Sequence, residues 1–178
     1  MATYNVTNTS DVTLPYMWSQ HALLAVAPGD DIVLPGVERV SVTHLKSEGA
    51  TRAATTIAWP DHELNLAPRR LDAVVGPDAR FAGKFYARVD RPFCASIGNA
   101  TGRLELSWDA EILPYVGIWL NYGAWPINEQ SSHHIAIEPT TAPVDSLAEA
   151  IAAGSQVQLP ARGSHSWSTT LRLLGAAC

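Results

Sequence analysis

Lysine is scarce in this sequence, and no basic stripe takes its place. Lys46 and Lys84 are the only lysines, the other basic residues are scattered arginines, and the formal net charge is −5. Binding to phosphate backbones or to anionic lipid surfaces needs clustered positive charge. We therefore expect no nucleic-acid partner and no membrane partner.

Cysteine is equally rare, and Cys94 and Cys178 alone give neither a disulfide framework nor a metal motif. The adjacent His133 and His134 would point to opposite faces of a strand, and no third ligand has suitable spacing. We therefore predict no metal site. The opening residues MATYNVTNTSDVTL lack the basic and apolar regions of a secretory signal, and no apolar run reaches the roughly 20 residues of a spanning helix. These absences favour the cytoplasm, where thiols stay reduced.

The residues that are present indicate an all-β protein. Hydrophobic residues make up 47% and charged residues 16%, so the chain is too apolar to be disordered, and 12 Gly and 12 Pro divide it into short pieces. Alternating or β-branched segments predict strands at 3–8, 12–18, 31–35, 39–45, 84–90, 103–109, 115–121, 133–139, 155–160 and 166–174. The first two should flank one turn, and the next two another. We expect a sandwich of mainly antiparallel sheets forming one domain over 1–178.

Two stretches depart from the strand pattern. The segment 144–154 contains good helix formers, with Asp145 or Ser146 as N-cap and Gly154 as a stop, and predicts one short helix near 145–153. The segment 47–83 is the least regular, and we interpret it as long loops crossing between sheets.

The last third of the chain collects the side chains that a sugar site needs. Trp119, Asn121, Trp125, Glu138 and Asp145 combine aromatic rings with an amide and carboxylates. The apolar face of a pyranose stacks on an aromatic ring, while its hydroxyls need donors and acceptors. The alternative is ordinary, because most tryptophans of a strand-rich domain only pack in its core.

Two titratable residues could carry acid/base chemistry. Glu138 should point away from Ile135 and Ile137, at a strand end closed by Pro139, where it could act as a base. His21 lies between an aromatic strand and an apolar run, and an imidazole there can donate a proton near neutral pH. A solvent-facing glutamate and a surface histidine are the alternatives.

These segments resemble aldose 1-epimerases, the galactose mutarotase-like family. The resemblance rests on PYVGIWLNYGAWP, HHIAIEPTTAPVDSLAEAI and VQLPARGSHSWSTTLRL near the end, and on YNVTNTSDVTLPYMWSQHALLAVAPGDDIVLPG near the start. Glu138 falls on the family's catalytic glutamate, His21 on a catalytic histidine, and Pro143 with Asp145 on a Pro-Asp feature that here has one inserted residue. The region 47–83 matches only loosely.

The resemblance implies a galactose mutarotase-like β-sandwich, in which this chain corresponds to the C-terminal portion of a longer fold. It implies interconversion of the α and β anomers of a hexose, with Glu138 as base, His21 as acid, a monosaccharide as substrate and no cofactor. Trp119, Asn121, Trp125 and Asp145 become candidate sugar contacts. Half of a sandwich exposes apolar faces and edges, so we expect a homo-oligomer. A non-catalytic carbohydrate-binding module, a scaffold and a sugar-phosphate enzyme stay open.

Overall fold

The computed structural model describes residues 1–47, 50–51, 55–62, 68–90, 92–126 and 130–175. Within these ranges strands dominate, and they pair antiparallel, as the sequence predicted. In chain order the strands are β1 (Ala2–Thr7), β2 (Leu14–Tyr16), β3 (Leu23–Leu24), β4 (Asp31–Val33), β5 (Arg39–Ser47), β6 (Ala50–Thr51), β7 (Thr55–Ala58), β8 (Phe81–Arg88), β9 (Phe93–Asn99), β10 (Gly102–Trp108), β11 (Tyr115–Tyr122), β12 (His133–Thr140), β13 (Val157–Leu159) and β14 (Ser164–Gly175).

Two sheets form the sandwich. The first has the order β1-β14-β10-β9-β4, and the second has the order β3-β12-β11-β8-β5-β6, with β7 paired to β5. Strands β13 and β2 form a separate small sheet. Rings such as Trp108 and Trp167 from the first sheet share one buried core with Phe85, Ile118 and Ile137 from the second. The predicted sandwich is therefore confirmed.

The two faces of the second sheet differ because side chains alternate along each strand. One face carries Phe85, Ile118 and Ile137 and packs into the core. The opposite face, which we call the site face, carries two cross-strand rows of different chemistry. These rows are Ser41, Tyr86, Gly117 and Glu138, and next to them His44, Lys84, Trp119, Ala136 and Leu23.

The single α-helix of the described residues, α1, spans Leu147–Ala153 where the sequence predicted it. Ser146 caps it, because its side chain accepts a hydrogen bond from the backbone N–H of Glu149. Gly154 ends it in the left-handed conformation at φ 68°. In the described part of the chain, no helix has the length and apolarity to cross a membrane.

Three local expectations were wrong. The strand predicted at 12–18 is reduced to β2, which pairs with β13. Strand β1 instead pairs with β14, and hydroxyl and amide side chains, such as those of Thr7 and Ser164, contact each other along this pair. Strands β4 and β5 lie in different sheets and do not form a pair. The stretch 47–83 is not all loop, since β6 and β7 lie in it and extend the second sheet beside β5.

One strand extends beyond its neighbour on one side. The ladder between β1 and β14 stops at the pair Ala2–Thr169, while β14 continues to Gly175 beside β10. Leu171 and Leu173 in this extension lie on the same face of β14 as the core residue Trp167, yet they are 46% and 83% exposed. The apolar inner face of the first sheet therefore continues past its cover.

Candidate functional site

Glu138 is the centre of the site face, and it is almost completely buried at 1% exposure. It lies on β12 opposite Gly117 of β11, whose missing side chain leaves room for the carboxylate. A Cβ at position 117 would stand 3.2 Å from Glu138 Oε2 and 3.0 Å from a ring carbon of Tyr86. The orientation away from Ile135 and Ile137 is as predicted. Pro139 does not end the ladder, however, because it pairs with Val116, and the strand runs on to Thr140.

A buried carboxylate needs partners, and those of Glu138 are unevenly divided between its two oxygens. Lys84 Nζ lies 2.5 Å from Oε2, and Ser19 Oγ donates to the same oxygen at 3.3 Å. Oε1 is buried and accepts no well-aligned hydrogen bond from the described residues, although His21 Nε2 lies 3.1 Å from it. Oε1 is thus the oxygen with unused accepting capacity.

His21 reaches Glu138 because its segment follows the edge of β12. We call residues 17–22, between β2 and β3, the His21 strap. The N–H of Gln20 donates to the carbonyl of Pro139 at 3.1 Å, and the N–H of Thr141 donates to the carbonyl of Trp18 at 2.9 Å. The strap therefore runs beside the end of β12. The His21 side chain remains 51% exposed, so its ring stands between the buried carboxylate and solvent.

Lys84 links Glu138 to a second carboxylate, that of Asp145. Its Nζ lies 3.8 Å from Asp145 Oδ1 and 5.2 Å from the centre of the Tyr86 ring, and the side chain is buried. Tyr86 donates its hydroxyl to the same Oδ1 at 2.6 Å, and Thr43 Oγ1 donates to Oδ2 at 3.5 Å. Burial and the hydrogen bond to Asp145 raise the pKa of Tyr86, so its hydroxyl keeps the proton that it donates.

A pocket of about 510 Å³ opens above these groups. Its polar lining comes from His21, Lys84, His134 and Asp145, and its other lining residues are Leu23, His44, Trp119 and Trp125. The pocket is large enough for one small ring compound, because ligand pockets of a few hundred cubic ångströms hold drug-sized molecules. Aromatic walls with polar groups at one end are the combination that a pyranose requires.

The aromatic wall of the pocket consists of His44, Trp119 and Trp125, and neighbouring side chains hold these rings in place. Trp119 donates its indole N–H to His134 Nε2 at 3.2 Å, which sets the plane of the ring. Burial, followed by the charges of His21 and His133, lowers the pKa of His134, which keeps Nε2 unprotonated as an acceptor. The His44 ring packs 6.1 Å from Trp119 and 6.0 Å from Trp125.

Asn121 lies beneath this wall, fully buried. Its Nδ2 donates to the carbonyl of Trp125 at 2.9 Å and to Ser132 Oγ at 3.0 Å. Its Oδ1 accepts from the backbone N–H groups of Ala124 and Trp125 at 3.3 and 3.2 Å. The amide is therefore engaged on both sides in holding the turn that presents Trp125.

The sequence-predicted residues divide accordingly. Glu138, His21, Trp119, Trp125 and Asp145 are brought together at the pocket, whereas Asn121 supports one of its walls. Sequence reasoning missed Lys84, Tyr86 and His44 as site residues, and it assigned no role at the site to His134. One signal was present for Lys84, namely a lone charge within an otherwise apolar stretch of strand.

In the described residues, no three His, Cys, Asp or Glu side chains are placed to hold a metal ion. The adjacent His133 and His134 do point to opposite faces. His133 Nε2 lies 2.7 Å from the carbonyl of Val75 on the core side, while His134 faces the pocket.

Comparison with known proteins identifies the class of fold. No protein-family model and no curated protein matches the sequence. Among solved structures, a proposed aldose 1-epimerase from Klebsiella pneumoniae superposes with a TM-score of 0.67 at 15% identity, over 98% of this chain and 42% of that one. A galactose mutarotase-like protein from Clostridium acetobutylicum gives 0.52 at 16% identity, over 97% and 52%. A TPR-domain-containing protein from Parabacteroides distasonis gives 0.60 at 12% identity, over 94% and 27%.

The chain therefore has the galactose mutarotase-like β-sandwich fold, and it spans about half or less of the length of these three structures. Because the sequences are only 12–16% identical, these superpositions establish the fold and nothing about the activity. A fold hosts unrelated functions, so the activity has to be argued from the site.

Proposed function

We propose that this protein binds a monosaccharide in the pocket and interconverts its α and β anomers, as an aldose 1-epimerase does. The observation that carries the proposal is the contact between a buried carboxylate and a half-exposed imidazole beside an aromatic pocket, with Glu138 Oε1 3.1 Å from His21 Nε2. Mutarotation needs one base and one acid on neighbouring oxygens of one sugar ring. It needs no metal, redox group or leaving group.

The walls of the pocket suggest how the sugar is held. The apolar face of the ring packs on Trp119 or Trp125, whose side chains line the pocket. Asp145 lines it as well and can accept hydrogen bonds from sugar hydroxyls, because its side chain is 54% exposed. The proposed reaction then requires the anomeric carbon to lie next to His21 and Glu138.

The reaction then proceeds by two coupled proton transfers. Glu138 Oε1 takes the proton from the anomeric hydroxyl, the bond between C1 and the ring oxygen breaks, and protonated His21 gives its proton to that oxygen. The open-chain aldehyde rotates about the C1–C2 bond. In the reverse sequence His21 recovers its proton, the ring oxygen attacks the other face of C1, and Glu138 returns its proton to O1.

The proposal requires His21 to move when the sugar enters. The two groups now touch, whereas a substrate between them needs roughly 5–6 Å, the length of two hydrogen bonds in series. The exposed imidazole can rotate towards solvent at small cost, but the buried carboxylate cannot. The acid therefore moves and the base stays.

Anomer exchange tests the proposal directly. We expect the protein to accelerate the exchange of glucose or galactose anomers, measured by NMR magnetisation transfer or by polarimetry. E138Q should slow the exchange by about 10²–10⁴-fold, the usual contribution of general base catalysis. E38Q, which changes an exposed glutamate outside the pocket lining, is the matched control and should behave as wild type.

A binding protein without catalysis is the second candidate, and one observation favours it. Glu138 Oε1 is sealed beneath His21 and has no access to solvent in the structure. If the sugar ring never opens, the pocket binds the sugar without converting one anomer into the other. Saturable quenching of tryptophan fluorescence by sugars, together with exchange no faster than in buffer, would establish this function and exclude the first.

A further inference from the structure

We infer that Lys84 is the positioning residue of the proposed base, which holds Glu138 by Oε2 so that Oε1 alone is left to accept the proton. This inference rests on the proposed function and adds to it a residue that the acid/base scheme does not name. It starts from the unequal surroundings of the two carboxylate oxygens.

The first step concerns charge. A carboxylate buried at 1% exposure is strongly disfavoured unless a partner compensates it. Lys84 Nζ is that partner at 2.5 Å, and the described residues place no second lysine or arginine within salt-bridge distance of Glu138. Without Lys84, the carboxylate of Glu138 would be buried without a compensating charge, which disfavours the ionised form that a base requires.

The second step concerns orientation. Among the described residues, Lys84 and Ser19 donate hydrogen bonds to the carboxylate, and both go to Oε2, the one from Ser19 being long at 3.3 Å. In the same part of the chain, Oε1 faces the His21 ring, which is 3.1 Å away and not aligned for a hydrogen bond. The carboxylate plane is therefore fixed from one side, and its free oxygen is directed at the group proposed as the acid.

The third step concerns the lysine itself. Its neighbours along the cross-strand row are His44 and Trp119, and its ammonium is held by Asp145 at 3.8 Å and by the face of the Tyr86 ring. Two carboxylates therefore share this one ammonium, which is fixed between Glu138 and Asp145 although its side chain also lines the pocket. We expect a cation held in this way to act on the reaction through Glu138.

The test compares the only two lysines of the chain. Lys46 extends from the same strand pair as Lys84, but its Nζ donates to the carbonyl of Ala124 at 3.2 Å and not to a carboxylate. K46M is therefore the matched control for K84M. Wild type, K84M, K84R and K46M are compared by kcat and KM for anomer exchange between pH 5 and 9, with thermal unfolding of each variant.

We expect K84M to lower kcat by about 100-fold or more, the scale of general base catalysis, with little change in KM. In K84M the acid side of the pH–rate profile should move to higher pH. K84R should recover part of the lost rate because it restores the charge, and K46M should retain the wild-type profile. A purely structural lysine would lower the amount of folded protein without moving the pH profile.

The outcomes separate this inference from the proposed function. No exchange by the wild type overturns both. Exchange by the wild type with an unchanged kcat or an unchanged pH profile in K84M overturns the positioning role alone, as does an equal loss in K46M. If K84M does not fold, K84Q decides, because it also removes the charge: a displaced pH profile supports the role and an unchanged profile contradicts it.

Discussion

Replacing Asn121 by alanine distinguishes a structural amide from a sugar contact. The sequence predicted that Asn121 binds substrate, but the structure engages its amide in holding the turn that presents Trp125. In N121A the backbone N–H groups of Ala124 and Trp125 lose their acceptor; the first of these bonds is buried and the second is part-buried. A buried group left without its partner costs about 1–3 kcal/mol and a part-buried group less, so we expect the free energy of unfolding to fall by about 2–5 kcal/mol.

N121A is assayed in two ways, by its thermal stability and by its affinity for sugar. For a domain of this size the loss corresponds to a fall in Tm of about 5–15 °C, measured by circular dichroism. N5A removes an exposed asparagine that donates to Ser166 Oγ and accepts from Thr7 Oγ1 at the protein surface, and it should change stability by no more than about 0.5 kcal/mol. Sugar affinity should weaken in N121A only as far as it does in W125A, and the two losses should not add, because both act through one wall. If N121A is as stable as wild type yet loses sugar binding, the amide contacts the sugar and our reasoning is wrong.

Two further changes test the site face. G117A places a methyl group 3.2 Å from Glu138 Oε2 and 3.0 Å from the Tyr86 ring; because a small displacement of a reacting group is costly, anomer exchange should fall by about 10-fold or more. G102A, whose Cβ meets only a carbonyl oxygen at 3.5 Å, should leave the rate unchanged, and equal rates in both variants would refute the packing argument. Burial and the neighbouring imidazoles lower the pKa of His134 below its usual value of 6.5. The contribution of His134 to the free energy of unfolding is therefore complete above pH 6.5, and it is lost as the pH falls through the pKa of the folded state. The difference in unfolding free energy between wild type and H134Q, from urea titrations, should therefore shrink below pH 6.5, and a difference that stays constant down to pH 5 would contradict this origin.

Local patterns predicted the parts of the site that depend on one strand. Alternation in IAIEP was enough to turn Glu138 away from Ile135 and Ile137, since side-chain direction in a strand has a period of two. The cap at Ser146 and the stop at Gly154 bounded the helix for the same local reason.

Features that depend on pairing between distant strands could not be predicted in this way. Lys84 acquires its role only when β8 is aligned with β5 and β11, and nothing in its own segment encodes that register. The partner of β1 was misassigned because the nearest strand in sequence, at 12–18, was the obvious candidate. Its actual partner β14, with matching hydroxyls such as Ser164, lies more than 150 residues away.

Pro139 shows another reason why the sequence pattern did not predict part of the site. A proline usually marks the end of a ladder or an edge strand. Here β12 continues past it to Thr140, and the carbonyl of Pro139 accepts the N–H of Gln20 from the His21 strap. The position that was expected to end the strand instead helps to bring the two candidate catalytic groups together.

If a second copy of the chain covers the exposed end of β14, the stability of the protein depends on its concentration. Leu171 and Leu173 lie on the core-side face but remain 46% and 83% exposed. Fully burying an exposed leucine side chain contributes about 1.5–3 kcal/mol, so a chain that covers the exposed parts of both residues gains roughly 2–4 kcal/mol. For a homo-oligomer formed at this edge, the unfolding midpoint would rise with protein concentration. The predicted self-association can therefore be read from melting curves recorded over a dilution series, without a separate measurement of mass.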